Sequence, residues 1–209
     1  MDLRLFSPPL TFMDKLSVVD VSEVKAEARV THDHEDALIG DNIETAYDYL
    51  SGRVGWLLRC CLLVEEFELY IPSWEPVCDP VRGYPSIELP MRPYMSLSSF
   101  ESLQPDGSYI AVPTESFSVT DEADQFARLY RRGRWPYAAG LHPQAYRVRF
   151  TAGFGTTKAS IPSPLRKSIR MLASEMYKNR EASVDKLQPL ALYGLVRLAG
   201  AYRLAKDHS

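Results

Sequence analysis

The sequence has little cysteine and no long apolar run, and each shortage excludes a class of protein. Its 209 residues contain three cysteines, Cys60, Cys61 and Cys78. Because the count is odd and two of them are adjacent, we expect reduced thiols in a cytoplasmic protein rather than a disulfide framework. No stretch of eighteen apolar residues occurs, which excludes a transmembrane helix. Residues 1–6 lack the basic start and apolar core of a secretion signal, so neither export nor a membrane partner is expected.

The sequence also lacks a recognisable catalytic constellation. A nucleophile needs a base oriented by a third group, and neither His142 nor His208 has such a partner nearby in sequence. His32 and His34 stand among acids, but a zinc site needs three or four ligands and two histidines at this spacing do not share a helix face. The sequence therefore predicts no catalytic residue, no metal ligand and no cofactor. A metal-dependent hydrolase using His32 and His34 stays as an alternative that metal analysis would test.

Residues 153–158 resemble a phosphate-binding loop only superficially. A true loop of this kind has glycine directly before its lysine and a helix that begins at once, so that backbone N–H groups hold the phosphate. Here Lys158 follows threonine, and Pro162 and Pro164 delay the helix. The pattern instead predicts a strand-to-helix turn in which Gly153 and Gly155 supply unusual backbone angles.

Acidic residues are scarce in the last third of the chain. Residues 128–209 contain 16 Lys and Arg but 4 Asp and Glu, whereas the rest contains 8 basic and 23 acidic residues. Such a division suits nucleic-acid binding, or an acidic face that meets the basic face of the next copy in a head-to-tail ring. It is equally typical of solvated helix surfaces. The apolar fraction of 45% and the length fit a globular domain with an elaborate insertion.

The first part of the chain is predicted to be helical after an extended or mobile arm at residues 1–20. Ser22 is the expected N-cap of a short helix that ends near Arg29, and Asp33 or Thr31 is the expected cap of the next. That next helix has an apolar stripe with offsets of 0, 4, 7, 8 and 11, formed by Ile39, Ile43, Ala46, Tyr47 and Leu50.

The middle of the chain has the period-2 alternation of strands. The expected strands and turns are separated by proline and glycine, and they cover residues 63–71, 87–89, 96–103, a turn at 105–107, 109–112, a loop at 133–136, and 146–150. Helices return in the last third. Ser163 is the expected cap of the first, with Pro164 at the first helical position, and a second helix is expected over residues 187–205.

A basic cluster with aromatic neighbours lies before the last predicted strand. It comprises Arg128, Arg131, Arg132 and Arg134, with Tyr130 and Trp135 between them. Arginine and aromatic residues together can bind nucleic acid through phosphate contacts and base stacking. A loop that is solvated or contacts another subunit fits the same pattern. A nucleic-acid-binding accessory factor that uses this cluster is therefore the alternative function.

Several segments, in their order along the chain, resemble the head–tail connector (adaptor) family of long-tailed bacteriophages and gene transfer agents. The resemblance covers about residues 21–203 and is carried by residues 21–26, 30–39, 87–90, 106–107, 135–136, 148–155, 161–166 and 177–181. Within these segments, the residues that mark the structural motif are Gly153, Gly155, Pro162, Tyr177, Asn179 and Arg180.

The resemblance implies an α+β fold with a small helical connector-type core and a β-rich insertion. The implied organisation is an arm at 1–20, a helical core at 21–58 and 160–186, an insertion at 59–155, and a C-terminal helix and tail at 187–209. It further implies a non-enzymatic virion protein, made in the host cytoplasm, that forms a ring of about twelve copies at the neck. The implied partners are the portal, a stopper or tail-completion protein, other copies of the chain, and DNA in the channel. Portal contacts would come from Arg197, Tyr202, Arg203 and Lys206.

Overall fold

The computed structural model describes residues 1–73, 86–121, 126–132, 141–179 and 189–203, and within the last range it describes side chains from residue 194 onward. The chain forms two compact units. The sheet unit comprises Met1–Pro9 and Val64–Gly153, and the helical unit comprises Leu10–Leu63 and Phe154–Ser209. The predicted α+β class is confirmed. None of the described helices is long and apolar enough to cross a membrane.

The described part of the sheet unit contains two antiparallel sheets. The strands are β1 (Asp2–Leu5), β2 (Glu65–Ile71), β3 (Ser86–Glu88), β4 (Tyr94–Leu103), β5 (Tyr109–Ala111), β6 (Phe117–Thr120), β7 (Arg128–Arg131) and β8 (Tyr146–Ala152). The larger sheet has the strand order β1-β2-β8-β4-β5 and the smaller has the order β3-β7-β6.

The larger sheet has one apolar face and one polar face because β2 and β8, two neighbouring inner strands, alternate in phase. Phe67 of β2 lies opposite Phe150 of β8, and Leu69 lies opposite Val148. All four are buried, and the centroids of the two phenylalanine rings lie 5.7 Å apart. The alternation that predicted these two strands therefore reports burial of one face.

The helical unit contains α1 (Phe12–Leu16), α2 (Val21–Ala28), α3 (Asp36–Leu50), α4 (Ser163–Lys178) and α5 (Pro189–Ala199). Every residue of the predicted α3 stripe is buried, which confirms that helix. In α4, Leu165, Ile169 and Ala173 are fully buried, and this helix packs against α2, α3 and α5. The helical core is therefore assembled around α4.

The N-terminal segment is more structured than the predicted arm. Residues Asp2–Leu5 pair with β2 as an edge strand, and Phe12–Leu16 form α1 with Thr11 as N-cap. Thr11 and Asp14 make a reciprocal capping box, in which each side chain accepts a hydrogen bond from the other's backbone N–H. Pairing and capping thus fix a segment whose sequence has no clear period.

The predicted helix caps were wrong at three places, and side-chain bonds account for the first two. Asp20 caps α2 instead of Ser22, because Glu23 at the third helical position completes a capping box with it. The N-cap of α3 is Glu35, which makes no side-chain cap bond, because Lys25 binds both Asp33 and Asp36. Ser163 is the first residue of α4, after an N-cap at Pro162.

Some of the acidic residues from the first part of the chain form ion pairs with basic residues from the last third, inside the helical unit. Acidic side chains of α2 pair with basic side chains from the last third: Glu27 with Lys167, and Glu23 with both Arg170 and Lys158. Lys158 Nζ also lies 3.4 Å from Asp20 Oδ2. The acidic and basic segments that are far apart in sequence are therefore partly neutralised within one chain.

Candidate assembly surfaces

The described part of the C-terminal segment, which was predicted to contact the portal, is anchored at Tyr202 and Arg203 and exposed at Arg197. After α5, Gly200–Tyr202 form one 3-10 turn. The Tyr202 ring packs edge-on against Phe154 with centroids 6.1 Å apart, and the Arg203 guanidinium lies 4.6 Å from the centroid of the Trp56 ring. Arg197 is exposed on α5, and Lys206 lies outside the described residues. The aromatic contacts hold the segment in place and leave Arg197 on the surface.

The described part of the basic cluster is mainly a strand rather than a loop, and the loop predicted at residues 133–136 lies outside the described residues. Arg128 to Arg131 make up β7, the central strand of the smaller sheet, with Leu129 buried. The Arg128 guanidinium donates to Ser86 Oγ and lies 3.3 Å from Glu88 Oε2, so its charge is paired within the sheet. Arg131 and Arg132 are exposed, and Arg134 lies outside the described residues. The strand prevents these arginines from all facing one ligand, since successive side chains point to opposite faces.

The two histidines near the start of α3 stack on each other. The ring centroids of His32 and His34 lie 4.5 Å apart with an interplanar angle of 1°, and His32 Nε2 lies 3.7 Å from Glu35 Oε2. In the described part of the chain, no three His, Cys, Asp or Glu side chains converge as a metal site would require. Cys60 and Cys61 are buried, and Cys78 lies outside the described residues.

The glycine turn after β8 serves backbone geometry. Gly153 and Gly155 have φ of 142° and 150°, values that residues other than glycine rarely adopt. Lys158, the residue that a phosphate loop would aim at its ligand, instead binds the carboxylate of Glu23. The following helix is fixed at its far end, where the Tyr177 hydroxyl donates to Glu35 and the Asn179 amide donates to the Glu175 carbonyl. Arg180 lies outside the described residues.

Charged side chains form a connected network on the polar face of the larger sheet. Glu68 accepts hydrogen bonds from Arg149 Nε at 2.9 Å and from the Tyr70 hydroxyl at 2.5 Å. Arg147 donates from Nε to Glu101 at 2.6 Å and lies 4.2 Å from the centroid of the Tyr109 ring. Burial of Glu68 opposes ionisation, but these hydrogen bonds and the two arginines outweigh it, so the pKa of Glu68 lies below its usual range.

Replacing Glu68 with glutamine is expected to destabilise the sheet unit by about 1–3 kcal/mol at pH 7, because Arg147 and Arg149 lose a buried carboxylate partner. A carboxyl with a lowered pKa in the folded state stabilises the fold above its unfolded pKa and loses that contribution as the pH falls. Wild-type stability should therefore fall more steeply than that of Glu68→Gln from about pH 5 downward. Urea unfolding across pH checks this, with Glu66→Gln as the control on the same face. Parallel pH profiles for wild type and Glu68→Gln would contradict it.

A short loop between α3 and β2 is ordered in a way that sequence reasoning missed. Residues 51–62 are closed by a backbone bridge between Gly52 and Cys60, and Leu62 N–H donates to Ser51 Oγ. Leu58 and Arg59 have φ of 61° and 53°. At the loop tip Val54 is 93% exposed. In the sequence, Gly52 and Gly55 signal a turn, but nothing there signals the hydrogen bonds that close it.

Solved structures with the same fold come from gene transfer agent particles. A chain in the neck of an empty particle, computed with C6 symmetry, has a TM-score of 0.72 at 18% identity, covering 99% of this chain and 97% of that chain. A chain in the virion of a native particle has a TM-score of 0.68 at 19% identity with the same coverage. A chain in the neck of a native particle, computed with C12 symmetry, has a TM-score of 0.64 at 19% identity, again with that coverage.

The likeness therefore spans the whole chain and includes both units. No protein-family model matches the sequence, and no curated protein matches it. At this level of identity the shared feature is the fold. The resemblance that the sequence segments indicated is thus confirmed at the level of fold, in proteins of the gene transfer agent neck and virion.

Proposed function

We propose that this chain is a structural protein of the virion neck, a head–tail connector that joins a DNA-filled head to the tail. The observation that carries the proposal is the full-length likeness to chains of the gene transfer agent neck, at 99% coverage of this chain and 97% of that chain. Likeness over a whole chain is a stronger argument than likeness of one common domain, since many unrelated functions share a single domain fold. The proposed role requires no catalytic chemistry.

We further propose that the working form is a ring of about twelve copies, closed by heterologous contacts. Support comes from the symmetry of the similar particles, whose necks were computed with C6 and C12 symmetry. Such a ring would bind the portal on one side and a stopper or tail-completion protein on the other, with DNA passing through its channel. Each contact can be weak, because a ring engages its partner many times at high effective concentration.

The test is to mix the purified chain with purified portal rings and to image the products by negative-stain electron microscopy. Rings of this chain stacked on the portal are expected. A chain truncated after Arg203 keeps the contacts of Tyr202 and Arg203 but lacks Lys206. It therefore tests the contribution of the last residues to portal binding without removing the contacts that hold the segment in place. Portal binding should weaken in the truncated chain. Failure of the full chain to associate with portal at any protein concentration would refute the portal-docking role.

A salt titration of DNA binding distinguishes the alternative function, a nucleic-acid-binding accessory factor, from the proposed connector. An accessory factor that uses the basic cluster of Arg128, Arg131, Arg132 and Arg134 would bind DNA as a monomer with steep salt dependence. The proposed connector should instead bind DNA weakly as a monomer.

A further inference from the structure

The chain leaves α5, the last described helix, through a short turn whose geometry is fixed by contacts. Ala199, the last residue of α5, is fully buried, and Gly200–Tyr202 continue as one 3-10 turn. Arg203 N–H donates to the Gly200 carbonyl at 3.1 Å, and the backbone of Arg203 is extended. The direction in which the C-terminal segment leaves the helical unit is therefore set at Arg203.

The Arg203 side chain lies on an aromatic ring. Its guanidinium carbon is 4.6 Å from the centroid of the Trp56 ring, which is within the range of a cation–π contact. Its Nε atom is buried and has no hydrogen-bond partner in the part of the chain that the structure describes. Because a buried donor without a hydrogen bond is costly, the contact with Trp56 has to stabilise this arrangement.

Trp56 is placed by the loop that follows α3. Its backbone N–H donates to the Tyr49 carbonyl at 2.7 Å, and the next residue, Leu57, is fully buried. The loop turns at Gly55, where an added Cβ would lie 2.3 Å from the Ser51 carbonyl oxygen, so no larger residue fits there. These contacts position the Trp56 ring without any contribution from the C-terminal segment.

The residue before Arg203 also packs against an aromatic ring. The Tyr202 ring lies edge-on to Phe154, and Trp56, Phe154 and Tyr202 are all partly buried against the helical core. We call Trp56, Phe154, Tyr202 and Arg203 the aromatic clip, and all four residues belong to the helical unit. Two segments that are far apart in the sequence, one at Trp56 and one at Phe154, thus hold two consecutive residues just after α5.

The aromatic clip changes the role expected of Arg203. A guanidinium that stacks on an indole and has a buried Nε presents less of its charge to another protein than the exposed Arg197 does. We propose that Arg203 is a positioning residue, held by Trp56, which fixes the C-terminal segment and leaves the direct portal contact to other residues of that segment. This inference rests on the proposed portal-docking role, and it adds Trp56 to the residues on which docking depends.

The first test uses the free chain and does not depend on portal. Amide hydrogen exchange at Tyr202 and Arg203, followed by NMR, should be at least about tenfold faster in Trp56→Leu than in wild type, because the turn opens more often without the ring contact. Trp56→Phe keeps an aromatic face and should stay within about threefold of wild type. Circular dichroism checks that each variant keeps its helices. Unchanged exchange in Trp56→Leu would overturn the aromatic clip.

The second test is a double-mutant cycle on portal binding, measured by sedimentation with purified portal. Trp56→Leu and Arg203→Gln should each weaken binding at least about tenfold. The double variant should lie within about threefold of the weaker single variant, since both substitutions remove the same contact. The matched control is Tyr49→Leu, which replaces an exposed aromatic ring on α3 and should bind portal as the wild type does.

The cycle distinguishes positioning from direct contact. If Arg203 touched the portal itself, Arg203→Gln would still weaken binding in the Trp56→Leu background, and the two losses would multiply. Multiplied losses, or wild-type binding by Trp56→Leu, would overturn the proposal and leave the proposed function intact. A wild-type chain that does not bind portal would instead refute the portal-docking role and, with it, the role given to Arg203 in docking.

Discussion

Replacing Arg197 with glutamate is expected to abolish binding of the ring to the portal at concentrations where the wild type binds fully. Arg197 is exposed on α5, in the segment anchored by Tyr202 and Arg203. An exposed charge contributes about 0.5 kcal/mol per contact. In a ring of about twelve copies that act together the loss sums to about 6 kcal/mol, or about four orders of magnitude in affinity. Sedimentation with purified portal measures this loss.

The matched control is Lys178→Glu, which reverses an exposed basic residue at the end of α4. It changes net charge equally and lies outside the proposed portal segment, so it should bind portal as the wild type does. Arg197→Lys should keep most of the affinity. Since glutamate in the last turn of α5 opposes the helix dipole by about 0.3–1 kcal/mol, circular dichroism should accompany the binding data. Equal binding by Arg197→Glu and wild type would exclude this residue from the portal contact.

Truncating Ile169 to alanine is expected to cost about 2–5 kcal/mol of the free energy of unfolding. Ile169 is fully buried in α4, the helix against which α2, α3 and α5 all pack, so the cavity would lie in the middle of the helical core. Such a loss is a large share of the stability of an ordinary domain. Urea unfolding followed by circular dichroism gives the value.

Two controls frame the Ile169 result. Ile169→Val removes one methylene and should cost about 0.5–1.5 kcal/mol. Val196→Ala, at a half-exposed site on α5, should stay within about 0.5 kcal/mol of wild type. A loss below 1 kcal/mol for Ile169→Ala would show that α4 is not the centre of the helical core.

Periodic segments could be predicted from the sequence because their patterns report burial directly. The stripe of α3 from Ile39 to Leu50 and the alternation of β8 around Val148 and Phe150 were of this kind. The caps could not be predicted as well, since Ser22 and Asp20 are both good caps. Glu23 decides between them only when its side chain reaches back to the Asp20 backbone.

Features that depend on contacts between residues far apart in the chain could not be predicted from the sequence. The N-terminal strand at Asp2–Leu5 is defined by pairing with β2, some sixty residues later in the chain, and no local period marks it. Likewise, the ion pair between Glu27 and Lys167 could not be predicted, because the two residues are far apart in the sequence and only the fold brings them together. The exposure of Val54 could not be foreseen either, because it depends on the closed geometry of the loop that carries it.

The most direct test of the central claim is cryo-electron microscopy of the neck of the particle that contains this chain. A closed ring of about twelve copies is expected between portal and tail. Side-chain density in that ring should place Arg197 at the portal. A neck in which this chain is absent between portal and tail would contradict the account.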